Sequence, residues 1–147
     1  MKRTFHGSKP VADSLNCYVK LMRASEKITA ETHRHLAEHK LTISQFAVME
    51  ALYHLGPLCQ REIGRKILKS HGNITTVINN LEKRKLVERL RSSEDRRFVS
   101  VSLTELGQDL IKNIFPLHVS EIVRSLSSLT TAEQHELARL CRKLGLP

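Results

Sequence analysis

The chain has 147 residues, a length that suits one core, and 40% hydrophobic residues supply enough apolar surface to build it rather than leave it disordered. Its formal charge of +9 points to a polyanionic partner, while 4% aromatic residues without tryptophan argue against a stacking platform for single-stranded nucleic acid. No apolar run is long enough to span a membrane, the start Met1-Lys2-Arg3-Thr4-Phe5-His6 lacks a signal-peptide core, and three cysteines without metal-type spacing argue against a disulfide framework or metal centre, so a cytoplasmic protein is expected.

Residues 1 to 9 read as a short basic lead. From Pro10 to His39 the spacing of Val11, Leu15, Val19, Met22, Ile28 and Leu36 predicts one long helix. Some thirty helical residues would extend about 45 Å, more than the diameter of so small a domain, so part of this stripe is expected to meet a second chain. Thr42 and Gln45 form a capping box, with Leu41 and Phe46 placed as a hydrophobic staple, and Gly56-Pro57 ends the helix they open. A short strand at Leu58-Cys59 and a helix from Gln60 to Leu68 follow, with Ile63, Ile67 and Leu68 inward and Arg61, Arg65 and Lys66 outward.

The next stretch carries the chemistry. Ser70 reads as the N-cap of a helix in which Ile74, Val77, Ile78 and Leu81 recur on one face. His71, Asn73, Thr75, Thr76, Asn79, Asn80 and Lys83 are left for the others. These are short groups that donate and accept hydrogen bonds, with no acid before Glu82, as suits contacts to base edges; His71, at the helix start, is assigned a phosphate or base-edge contact. Leu86 to Arg91 and Phe98 to Leu103 then flank a polar tip, and the alternation Val99, Val101, Leu103 against Ser100, Ser102 marks a β-hairpin. Arg89, Arg91, Asp95, Arg96 and Arg97 belong to this hairpin. Residues 57 to 103 hold eleven Lys or Arg against five acids, a net of +6, so the basic excess coincides with the helix and hairpin. A helix suited to the major groove followed at once by a hairpin suited to a minor groove is the pattern of a winged helix-turn-helix.

Beyond the hairpin, Thr104 caps a helix carrying Leu106, Leu110, Ile111, Ile114, Leu117, Ile122 and Leu126, which Pro116 is expected to kink. Thr130 with Glu133 is a second capping box, opening a helix through Leu137, Leu140 and Leu144 that Gly145 ends. The fold class is therefore mainly α with a small β-hairpin (α+β). One domain over 1–147 is expected, with the winged helix-turn-helix at about 42–103 and dimerisation helices at about 10–38 and 104–144. Leu15, Val19, Ile114, Ile122, Leu137 and Leu140 form the surplus apolar surface for a homodimer.

The chain resembles the MarR family of bacterial transcription regulators in Leu41-Thr42, Gln45-Phe46, Gly56-Pro57, Asn80-Leu81-Glu82-Lys83-Arg84, Leu86-Val87-Glu88-Arg89, Asp95-Arg96-Arg97, Leu103-Thr104 and Gly107. The resemblance implies that Arg97 enters a minor groove with Asp95 orienting it, that the terminal helices form an obligate dimer, and that the partner is a pseudo-palindromic operator in double-stranded DNA. It further implies a repressor released by a small aromatic effector or by cysteine oxidation. Lys85 stands where the family usually has glycine, and a left-handed lysine there would cost about 1 kcal/mol.

An effector pocket would be lined by Tyr18, Met22, Phe46 and Met49, whose other reading is ordinary core. Cys17 is a redox candidate, but the gap-free count from Leu41-Thr42 places the family's peroxide-sensing cysteine at Tyr18, so a small buried hydrophobe is the preferred reading. His35 and His39 share a helical face at metal-pair spacing, yet no matching Cys or Glu set accompanies them, and solvated histidines are expected. Glu94 and Asp95 lie on a hairpin tip where water keeps both ionised, and no glycine-rich phosphate loop or nucleophile motif is present, so neither an enzyme nor a cofactor is expected. The competing reading is an architectural DNA binder indifferent to sequence, which would show almost no specificity ratio.

Overall fold

The computed structural model describes residues 8–67, 71–91 and 99–145, with the backbone alone at 71 and 72. Two compact units divide the chain, one spanning His35–Ser120 and the other made of the segments up to Arg34 and from Glu121 onward.

In the central unit, α2 (Ile43–Leu55) starts at the expected box: Gln45 N–H donates to Thr42 Oγ1 at 3.2 Å and Thr42 N–H to Gln45 Oε1 at 3.0 Å. Leu41 and Phe46, the staple pair, are both buried. Gly56 closes the helix at φ 77°, a left-handed conformation that only glycine adopts without strain. The strand β1 (Leu58–Cys59), α3 (Gln60–Lys66), α4 (His71–Lys83), β2 (Val87–Arg91), β3 (Val99–Leu103) and α5 (Glu105–Leu126) follow. The three strands form an antiparallel sheet in the order β1-β3-β2, with Leu58 opposite Val101 and Arg89 opposite Val101 on the other side. The core joins the helices to β2 and β3 through Leu36, Phe46, Val48, Met49, Ile63, Ile74, Ile78, Leu81, Val87, Val101, Ile111 and Ile114, and the half-buried Leu58 of β1 packs against it.

Two left-handed lysines shape this unit. Lys85, at φ 56°, ends α4 in a Schellman turn in which Leu86 N–H reaches Leu81 C=O at 3.0 Å and Lys85 N–H reaches Glu82 C=O at 2.9 Å. Lys40, at φ 53°, makes the same turn, with Leu41 bonded to Leu36 and Lys40 to Ala37, each at 3.0 Å. Arg84 ties the two turns together, its guanidinium donating to the carbonyls of Lys40 at 2.7 Å and His39 at 3.0 Å.

The long helix expected over residues 10 to 39 ends earlier. α1 spans Lys9–Thr32, about 36 Å, and a 3-10 turn, Arg34–Ala37, carries Leu36 into the core of the central unit. Side chains compete with the backbone at this end: Thr32 Oγ1 donates to Ile28 C=O at 2.8 Å and His33 Nδ1 to Thr29 C=O at 2.8 Å. His35, expected in solvent, is only 8% exposed and packs against Phe46 and His118, with ring centroids 6.4 Å and 5.4 Å away. His39 is half-buried.

α5 runs unbroken through Pro116. In the terminal unit, α1 and α6 (Thr131–Lys143) leave their apolar stripes open, Leu15, Val19, Leu137 and Leu140 being exposed. Ile114, expected in this surplus, instead lies wholly in the central core. α6 starts at the expected box, with Thr130 N–H 2.7 Å from Glu133 Oε2. Among the described residues no helix is long and apolar enough to cross a membrane.

Candidate nucleic-acid interface

α4 sorts its side chains by face. Ile74, Val77, Ile78 and Leu81 are buried, while Asn73, Thr75, Thr76, Asn79, Asn80 and Lys83 are exposed. The inner row recurs at three and four residues and packs against α2, α3 and β2, which leaves the outer rows to present neutral amides and hydroxyls. The helix begins at His71. The proposed cap Ser70 lies outside the described residues, as do the hairpin-tip residues Asp95, Arg96 and Arg97.

Neighbouring elements hold this face in place. Gln60, at the start of α3, donates from Nε2 to Thr75 Oγ1, a bond that pins α3 to α4. Sequence reasoning assigned Gln60 no role, because its partner is fifteen residues away and no local pattern marks the pair. The start of α3 is itself capped by Glu62, whose carboxylate accepts from Cys59 N–H at 2.8 Å. That bond is the main reason its carboxyl is held below the ordinary range. Arg61, Arg65 and Lys66 are exposed on α3, as expected.

Arg89 departs from expectation. Read as a DNA contact, it is half-buried and occupied within the protein, with Nη1 on the Glu82 carboxylate and Nη2 on Asn79 Oδ1 at 2.6 Å. Glu82 and Asn79 stand at i and i−3 on α4, so the strand β2 locks onto this helix through one guanidinium. Arg91 remains exposed at the end of β2.

The four expected effector-pocket residues belong to different units. Phe46 and Met49 are 1% and 0% exposed within the core, whereas Tyr18 and Met22 belong to the terminal unit and are 61% and 50% exposed. Phe46 packs against His118 in this core, with ring centroids 4.5 Å apart. Cys17 is exposed rather than buried, and Cys17, Cys59 and Cys141 are free thiols. Within the central unit, a groove of about 400 Å³ lies elsewhere, lined by Ala47, Glu50, Ala51, His54, Leu55, Lys66 and Ile67.

Comparison with known proteins agrees with this arrangement. Residues 32–114 match the family described as transcriptional regulator SarA/Rot. The chain is 37% identical over 133 residues to the HTH-type transcriptional regulator MhqR of Bacillus subtilis, covering 90% of this chain and 92% of that one. Among solved structures, it superposes on Bordetella bronchiseptica BpsR, whose DNA binding is regulated by 6-hydroxynicotinic acid, with a TM-score of 0.80 and 27% identity over 89% of this chain and 99% of that chain. It also shares the fold of a mutant Escherichia coli MarR complexed with operator DNA, at a TM-score of 0.82 and 22% identity over 92% and 96% of the two chains. With a winged helix-turn-helix body, a polar outer face on α4 and relatives that are transcription regulators rather than enzymes, this chain belongs to the MarR family of DNA-binding transcriptional regulators.

Proposed function

We propose that the chain represses transcription as a homodimer on a pseudo-palindromic operator in double-stranded DNA, each α4 lying in a major-groove half-site and each wing tip in the flanking minor groove. The observation that carries this reading is the sorting of α4, with four apolar residues buried behind Asn73, Thr75, Thr76, Asn79, Asn80 and Lys83. The helix start at Ser70-His71, the exposed Arg91 and the tip Asp95-Arg96-Arg97 complete the DNA-facing set, with Arg97 as the minor-groove group. The whole chain acts as one domain, residues 42–103 binding DNA and residues 10–38 and 104–144 pairing with a second copy.

Release follows from a small aromatic effector bound against Tyr18 and Met22, the two expected pocket residues with open surface. The BpsR precedent supports a reversible ligand of this kind. The test is binding to an operator selected from a random duplex library and to a random duplex of equal length. A specificity ratio of about 10³ or more is expected for a regulator. A ratio near one, with a steep salt dependence, would assign the protein to the architectural class instead.

A further inference from the structure

Arg89 reaches back from β2 to two residues of α4, donating to the Glu82 carboxylate and to Asn79 Oδ1. A guanidinium has no acceptor, so the amide oxygen is the only atom that Asn79 can turn toward it. Oxygen and nitrogen stand on opposite arms of the planar carboxamide. The amide nitrogen of Asn79 therefore stands on the arm that Arg89 does not hold, and the residue lies on the exposed face of α4. Glu82 balances the charge of Arg89, which leaves the arginine little net field to offer a phosphate.

We infer that Arg89 is a positioning residue for DNA reading: it holds the oxygen arm of the Asn79 amide against the protein and leaves the NH₂ arm to the DNA, so that Asn79 selects a base-edge acceptor. In the major groove those acceptors are guanine O6 and N7, adenine N7 and thymine O4. The flipped amide would lead with its oxygen and favour the amino groups of cytosine or adenine instead. The terminal torsion of asparagine is broad and roughly two-fold, so the arginine supplies the choice between the two orientations. Selectivity comes in part from excluding the wrong orientation before DNA arrives. This inference rests on α4 being the recognition helix.

The experiment measures affinity of the full-length protein for the selected operator and for a random duplex across a salt series, in wild type, Arg89→Met, Asn79→Ala and the double variant. A positioning role predicts that Arg89→Met lowers the specificity ratio about tenfold, leaves the salt slope unchanged, and makes Asn79→Ala silent in its background. A phosphate-binding role predicts equal losses on both duplexes and a slope smaller by about 0.9 for each phosphate no longer neutralised, close to two for a dimer. That outcome, or additive losses, overturns the inference. Side-chain ¹⁵N relaxation of Asn79 in the free wild type tests it without any variant: an ordered amide is expected, and one that reorients freely overturns it. A wild-type specificity ratio near one would defeat the sequence-specific reading itself, a result distinct from either outcome for Arg89.

Discussion

Lys85 shows how a residue of the wrong type is held in an unfavourable backbone conformation. Its left-handed turn costs about 1 kcal/mol relative to glycine, yet its carbonyl accepts from Thr104 Oγ1 at 2.6 Å and Thr104 N–H donates to Leu86 C=O at 3.2 Å. The same threonine caps α5, accepting from Gly107 N–H at 3.0 Å, so one side chain joins the end of α4 to the start of α5. Lys85→Gly should therefore stabilise the protein by about 0.5–1 kcal/mol in urea unfolding, because the bonds to the turn are backbone carbonyls that survive the change. A destabilised variant would show that the lysine side chain itself is needed. Gly107 is constrained for the opposite reason: a Cβ there would lie 2.0 Å from Leu86 O, a backbone atom that cannot swing aside. Gly107→Ala should cost about 3 kcal/mol. A loss under about 0.5 kcal/mol would mean that α5 slides freely past the turn.

At the scale of elements, capping boxes stand out in the sequence because they join residues three apart, and those at Thr42 and Thr130 lie where the spacing put them. The apolar stripe of α4 was legible for the same reason. What could not be read locally is what depends on distant partners: the bond from Gln60 to Thr75, the clasp of Arg84 on Lys40, and the capture of Arg89 by Glu82 and Asn79. The early end of α1 was hidden too, since the apolar spacing continues through Leu36 although the helix gives way at Thr32. The box of α6 gives a pH prediction. Glu133 is held below its ordinary value chiefly by the Thr130 N–H, so its stabilising bond is present above the unfolded value near 4.5 and is lost as pH falls through the lower folded value. Helicity of α6 should fall in acid in the wild type, while Glu133→Ala should lower helicity at pH 7 and leave it unchanged well below the folded value. Thr130→Ala should cost about 1 kcal/mol. Equal helicity of wild type and Glu133→Ala at pH 7 would refute the contribution of the box.

For the whole molecule, the decisive quantity is apolar surface that the single chain does not cover. Leu15, Val19, Leu137 and Leu140 keep 40–42% of their surface exposed. No residue of α6 is buried, and in α1 only Thr32 is. A monomer would present these stripes to water, a liability that the proposed pairing with a second copy would remove. Deletion of residues 127–147 should therefore give aggregated or unfolded protein by light scattering and circular dichroism, and a soluble, folded monomer would refute dimerisation through these helices. The proposed release from DNA belongs to the same scale, because in the proposed dimer the two copies of α4 would have to stay about 34 Å apart to engage both half-sites, and a ligand that changed their separation would weaken binding. Tyr18 and Met22 are exposed on the single chain, where the proposed aromatic ligand would compete with dimer packing, and Cys17 beside them is exposed as a free thiol. The two signals separate in one measurement, operator release in phenolic acids, quinones and peroxides, made with wild type and with Cys17→Ser. Release by phenolic acids that persists in Cys17→Ser is the expected result, with a weaker response in Tyr18→Ala. Release confined to oxidants and abolished by Cys17→Ser would instead make the thiol the sensor and leave Tyr18 and Met22 as dimer packing.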